Sequence, residues 1–65
     1  MNKNIEGYIK ACDELLEVKD VTLDTYIEYL VKLSEMGFGD SSVRGYPNKG
    51  ALTPFYDKST DELVF

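Results

Sequence analysis

The helical repeat of apolar residues stops at Gly37, and this boundary constrains the fold more than any other feature of the sequence. Four of the five glycines and both prolines lie after residue 36. Proline interrupts a helix because it has no backbone N–H and its ring clashes with the preceding turn. We therefore expect helices before Gly37 and a different kind of structure after it.

The first apolar stripe predicts a helix over residues 4–18. Its members recur at helical spacing: Ile5, Tyr8, Ile9, Cys12, Leu15 and Leu16. Asn2 or Asn4 can cap its start, because a side-chain oxygen there accepts a backbone N–H that has no partner within the helix. Cys12 lies in the stripe, so we expect a buried small side chain rather than a reactive thiol.

The second stripe predicts a helix over residues 23–36, capped by Thr22 at its start and ended by Gly37 in a left-handed conformation. Its apolar positions cover more than half of the helix circumference, so the helix must be covered from two directions. The first helix covers one side, and the C-terminal segment or a second copy of the chain covers the other. We expect a homodimer that uses Tyr29, Leu33 and Met36.

After Gly37 the sequence predicts a small antiparallel β meander or hairpin over residues 42–65. Phe55-Tyr56 and Leu63-Val64-Phe65 flank a polar stretch that is typical of a hairpin turn. The segment 46–50 predicts a second turn, between a strand near 42–46 and one near 51–55. The expected fold class is α+β, with residues 1–65 forming one small domain.

The residue types in this chain exclude several classes of function. With one cysteine and no histidine in 65 residues, the chain has neither an intramolecular disulfide nor the usual ligands of a zinc site. Ser41 and Ser42 follow glycines as in some hydrolase motifs, but no histidine is present to activate them. We expect no metal, no cofactor and no enzymatic activity.

The charge and hydropathy of the chain bound its location and partners. The net charge of −5 argues against a general nucleic-acid binder, which needs a basic face to displace counterions. A DNA mimic remains an alternative, presenting an acidic ridge of Asp13, Glu17, Asp20 and Asp24. No apolar run approaches the length of a membrane span or a signal peptide, so we expect a cytoplasmic protein without membrane contact.

Aromatic residues are concentrated in the last third of the chain, where they exceed what so short a segment buries by itself. Exposed aromatics beside arginine are the usual composition of an interface centre. The leading interpretation is a regulator or inhibitor, of the kind that phages and mobile elements encode, which binds another protein. The expected contact residues are Phe38, Arg44, Tyr46, Phe55 and Tyr56.

Two further functions stay open. Arg44 and Lys49 flank Tyr46 and could hold a nucleotide or another small anion, with a base stacked on the tyrosine ring. The chain could also be a structural subunit of a larger homo-oligomer.

Overall fold

Two helices pack against each other and precede a three-stranded sheet in the computed structural model, which describes residues 3–65. The first helix, α1, spans Ile5–Glu17 and the second, α2, spans Leu23–Leu33. The backbone N–H of Asn4 donates to the carbonyl oxygen of Met36 at 2.9 Å. The start of α1 therefore lies beside the end of the second helical segment, and the two helices run antiparallel.

The helix ends follow from local side-chain chemistry. The Oδ1 atom of Asn4 accepts the Gly7 N–H at 2.9 Å, and the Oγ1 atom of Thr22 accepts the Thr25 N–H at 3.2 Å. Each contact satisfies one N–H at a helix start. Asn2, the other predicted cap, lies outside the described residues.

The second helix continues into a wider π-helical turn over Ser34–Phe38, within which Gly37 has φ +100°. A positive φ costs glycine little because it has no Cβ. Gly37 has the predicted positive φ, but the regular α-helix already ends at Leu33 and the helical turn continues to Phe38. None of the helices within residues 3–65 has the length and apolar character needed to cross a bilayer.

The sheet contains β1 (Ser42–Arg44), β2 (Phe55–Asp57) and β3 (Glu62–Val64), in the order β1-β3-β2. Strands β2 and β3 pair antiparallel around the polar turn, as the predicted hairpin requires. Strand β1 pairs parallel with β3, so the sheet is mixed. The turn at 46–50 does not join two neighbouring strands; it closes locally through a bridge between Asn48 and Ala51.

The burial of Leu63 is consistent with the central position of β3 in the sheet. Leu63 is the buried residue of the sheet, and a strand with neighbours on both sides keeps such a residue from water. The α+β class, with helices followed by strands, is confirmed.

The core lies between the helices and the inner face of the sheet. Its buried hydrophobic residues are Ala11, Leu15, Tyr29, Leu33, Phe38 and Leu63. The Phe38 ring packs against those of Tyr8 and Tyr56, with centroid distances of 5.3 and 4.9 Å. Aromatic pairs at such tilted and edge-on geometries add stability beyond their buried area.

Candidate protein-binding surface

The three strands place two predicted contact residues in one row on the outer face of the sheet. Successive residues of a strand point to opposite faces, and the buried Leu63 defines the inner face. Arg44 pairs with Val64, which pairs in turn with Phe55. These three residues form one row of the outer sheet surface, with Arg44 on one edge strand and Phe55 on the other.

Both ends of this row are accessible to a partner. The Phe55 side chain is 69% exposed. The Arg44 side chain is also well exposed, and its Nε atom lies 3.8 Å from Oε2 of Glu62 on the neighbouring strand. A single contact at that distance leaves most of the guanidinium group available for hydrogen bonding.

Tyr46 lies two residues beyond Arg44 and is 86% exposed, more than any other large hydrophobic residue described. The loop that carries it is ordered by Asn48, whose Oδ1 accepts the Gly50 N–H at 2.9 Å. An asparagine bonded to the backbone two residues on stabilises a turn without help from the core. The loop therefore presents the Tyr46 ring to solvent.

Two other predicted contact residues belong to the interior. Phe38 is only 2% exposed and is the centre of the aromatic cluster, so its ring is not accessible to a partner in this fold. Tyr56 is half-buried against Phe38, and its hydroxyl donates to Oδ1 of Asp61 at 2.8 Å. That hydrogen bond raises the pKa of the Tyr56 phenol, and the side chain is engaged within its own fold.

The predicted self-association residues are also internal. Tyr29 and Leu33 are core residues and Met36 is half-buried, so a second copy has no access to the first two. They are buried because the helix turns this side toward α1 and the sheet. The part of α2 left uncovered is its other flank, formed by Leu23, Ile27, Leu30 and Val31.

The width of the apolar arc indicates that α2 needs a second cover, but it does not identify this flank as the uncovered part. The apolar arc of α2 is too wide for one partner, and the structure shows which part lacks cover. The C-terminal segment reaches α2 at Tyr26, whose hydroxyl donates to the Leu52 carbonyl at 2.6 Å. The segment does not extend over the flank, where Leu23 is 75% exposed.

The residues of the predicted anion site do not form a common pocket. Arg44, Tyr46 and Lys49 are all exposed, and the ion pair that Arg44 makes within residues 3–65 is with Glu62. No cluster of potential metal ligands occurs within that range. Binding of an anion by this loop stays a prediction.

A polar cluster joins the N-terminal segment to the sheet. Oδ1 of Asp61 accepts hydrogen bonds from the Tyr56 and Ser41 hydroxyls, and it lies 3.4 Å from Nζ of Lys3. Lys3 also donates to Asp40 at 3.0 Å. The two hydroxyl donors and the lysine lower the pKa of Asp61, because they stabilise its charged form.

Cys12 is half-buried, with its Sγ atom 3.1 Å from the Tyr29 hydroxyl. Burial raises the pKa of the thiol, which lowers its reactivity at neutral pH. Its surroundings therefore fit the predicted packing role.

The chain matches no family model, no curated protein and no solved structure among the known proteins with which it was compared.

Proposed function

We propose that this protein acts by binding another protein, as a regulator or inhibitor, and that it also associates with itself. The observation that carries the proposal is the exposure of Tyr46, Arg44 and Phe55, two of which share a row on the sheet. Burial of an exposed aromatic ring is favourable by about 25 cal/mol per Å² of apolar area removed from water. A partner that covers both rings recovers that free energy.

The composition of this surface supports a protein rather than a small molecule as the partner. Tyrosine, phenylalanine and arginine are enriched at the centres of protein interfaces, where a few such side chains carry most of the binding energy. Tyr46 stands out from a loop, and Phe55 lies at the edge of an open groove of about 540 Å³ that Ile5 and Ile9 also line, so neither ring is enclosed. Small ligands favour concave sites that enclose most of their area.

The charge distribution limits which face meets the partner. Residues 1–36 carry eight acids and four lysines, for −4, whereas residues 37–65 carry four acids and three bases, for −1. The sheet and its loop are thus nearly neutral, and they contain the sole arginine of the chain. Interface centres are similarly poor in carboxylates.

Affinity capture from cells that naturally contain the protein tests the proposal. Tyr46→Ala and Phe55→Ala should each weaken binding of the captured protein roughly thirtyfold, since the loss of an interface anchor costs about 2 kcal/mol. Leu23→Ala is the matched control, because it removes an equally exposed side chain from α2. Thermal melts should show that all three variants remain folded.

The proposal fails if capture is unchanged by Tyr46→Ala and Phe55→Ala. Loss of capture with Leu23→Ala alone would transfer the binding site to the flank of α2.

A further inference from the structure

The two edges of the sheet differ in how their backbone groups are satisfied. At the outer edge of β2, the Tyr8 hydroxyl accepts the Tyr56 N–H at 3.1 Å and donates to the Pro54 carbonyl. It thereby takes the place of a neighbouring strand. By backbone contacts each edge strand meets only β3, but within residues 3–65 no side chain bonds to the outer edge of β1 as Tyr8 does to that of β2.

The pairing of β1 with β3 leaves the groups of Val43 directed outward. The Ser42 N–H donates to Asp61 at 3.2 Å, and the Arg44 carbonyl accepts from Phe65 at 2.9 Å. Residues 42 and 44 thus face β3, so the N–H and C=O of Val43 face the opposite side. An edge of this kind is a template for another strand, and the Val43 side chain is 62% exposed.

We propose that a second copy of the chain pairs with this edge, β1 against β1 and antiparallel, about a two-fold axis at Val43. The two Val43 residues then exchange both of their backbone hydrogen bonds, as directly opposed residues do in an antiparallel ladder. Ser42 of each copy lies opposite Arg44 of the other. The result is one continuous six-stranded sheet with both outer faces on the same side.

Charge complementarity identifies the occupant as a second copy. Asp57 and Glu62 are directly opposite each other in the register of β2 and β3, and like charges in that position are destabilising. Both lie in the same row as Ser42. Pairing places Arg44 of the second copy at the end of this row, beyond Ser42.

The distances in such a pair allow the charges to meet. Arg44 of one copy and Glu62 of the other are two strand spacings apart, about 10 Å between backbones. An arginine and a glutamate that extend toward each other span that gap, and the small side chain of Ser42 does not block it. By symmetry the pairing forms two such ion pairs.

The exposed flank of α2 offers no comparable self-complementarity. Asp24, Glu28 and Glu35 follow one border of its apolar stripe, and Lys32 is turned toward Glu14 of α1. In an antiparallel helix pair, equivalent borders of the two copies face each other. The flank would therefore bring acids against acids, whereas β1 brings Arg44 against Glu62.

This inference deepens the self-association in the proposed function, and sedimentation velocity of the full chain over a wide concentration range tests it. The wild-type protein should form dimers as its concentration rises. Arg44→Glu and Glu62→Arg should each weaken dimerisation on the order of tenfold, because each turns two attractive contacts into repulsive ones. Val43→Lys should do the same by placing two ammonium groups at the axis.

An equimolar mixture of the Arg44→Glu and Glu62→Arg variants makes the decisive measurement. In the mixed pair, the glutamate introduced at position 44 of one copy faces the arginine introduced at position 62 of the other. The second contact joins the two native residues, Arg44 and Glu62, so both contacts are attractive. Dimers should form in the mixture at concentrations where each variant alone stays largely monomeric. A contact within one copy gives no such result, because each variant carries only like charges at these two positions.

Three outcomes would overturn the inference: a wild-type protein that stays monomeric throughout, a mixture that stays monomeric, or a dimer that Val43→Lys leaves intact. Thermal melts of each variant separate lost dimerisation from lost folding. Tyr46→Ala should leave the dimer unchanged, so failure of partner binding and failure of β1 pairing are distinguished. If Val43→Lys abolishes capture of another protein while the wild type is monomeric, the edge binds a foreign strand and self-pairing is wrong.

Discussion

The two edge strands of this sheet have the same length but opposite relations to the rest of the molecule. Strand β2 is held against α1 because the Tyr8 hydroxyl bonds to the backbone at both Pro54 and Tyr56. Strand β1 has all three of its residues exposed, and among residues 3–65 no side chain bonds to its outer edge in the way that Tyr8 does at β2. A single helix side chain therefore decides which edge of the sheet remains open.

The residues that close one edge of the sheet also build the core of this protein. The ring of Tyr8 packs on Phe38, and Phe38 packs on Tyr56, so the residues that close β2 are also the centre of the aromatic cluster. None of the aromatic pairs among the described residues involves a residue of β1. Substitutions on the closed side should consequently affect stability, and those on the open side should affect association.

Phe38→Ala should have the largest effect, because it removes the ring that joins Tyr8 to Tyr56. Truncation of a buried phenylalanine costs about 3–5 kcal/mol, which is comparable to the whole stability of so short a chain. Urea unfolding monitored by circular dichroism measures the loss. Val43→Ala on the open edge is the control and should cost no more than about 1 kcal/mol. Equal losses in the two variants would contradict the division into closed and open sides.

Tyr8→Phe should come next, since it keeps the ring in the cluster and removes only the hydroxyl. The Tyr56 N–H and the Pro54 carbonyl lose their partner, at a cost of about 1–2 kcal/mol. Hydrogen exchange at concentrations where the chain is monomeric gives a sharper measurement. The Tyr56 amide should exchange slowly in the wild type and as fast as the Val43 amide in the variant. Tyr46→Phe, which alters an exposed hydroxyl, should change neither quantity.

Gly45→Ala should have an effect similar in size to that of Tyr8→Phe, on the open side of the sheet. Gly45 has φ +80°, and an added Cβ would lie 2.9 Å from the Phe65 carbonyl oxygen. The left-handed conformation costs an L-residue about 1–2 kcal/mol. Gly50→Ala is the matched control, because its Cβ would meet nothing closer than Asn48 Oδ1 at 3.6 Å. A melting temperature that falls equally in both variants would show that Gly45 is not needed for the turn after β1.

The pH dependence of stability should change least, through Asp61. Its pKa is lowered in the folded protein by hydrogen bonds from Tyr56 and Ser41. The stability it contributes is therefore present above the pKa of the unfolded chain, about 3.9, and is lost as the pH falls through the lower folded value. Asp61→Asn should flatten this part of the curve of stability against pH. Asparagine adopts the positive φ of 55° at this position as readily as aspartate. Urea midpoints of the wild type and the variant, measured between about pH 7 and about pH 2, test this. An equal loss of stability at low pH in both proteins would refute the role of Asp61.

Much of the helical half of the molecule could be predicted from the sequence, because helix formation depends on contacts within a few residues. The spacing of apolar residues, the caps at Asn4 and Thr22 and the left-handed Gly37 are all local features, and the structure confirms them. The polar turn between Phe55-Tyr56 and Leu63-Val64 is equally local. These features also suffice to predict the α+β class.

The candidate site was only partly predictable, since exposure depends on what packs against each side chain. Tyr46 and Phe55 were predicted as contact residues and are indeed exposed, whereas Phe38 has equal aromatic character and is buried. No local signal separates them. The difference arises because Gly37 turns the chain inward and directs Phe38 between α1 and β2.

The sequence by itself determined where helices begin and end, where the chain turns and which residues are apolar enough to form a core, because those properties depend on near neighbours along the chain. Only the tertiary structure decided that β1 runs parallel to β3 and that Tyr8 closes β2. The same holds for the row that Arg44 shares with Val64 and Phe55. Each of these outcomes joins residues about 10 to 48 positions apart, and such contacts form through the competition of all segments for one small core.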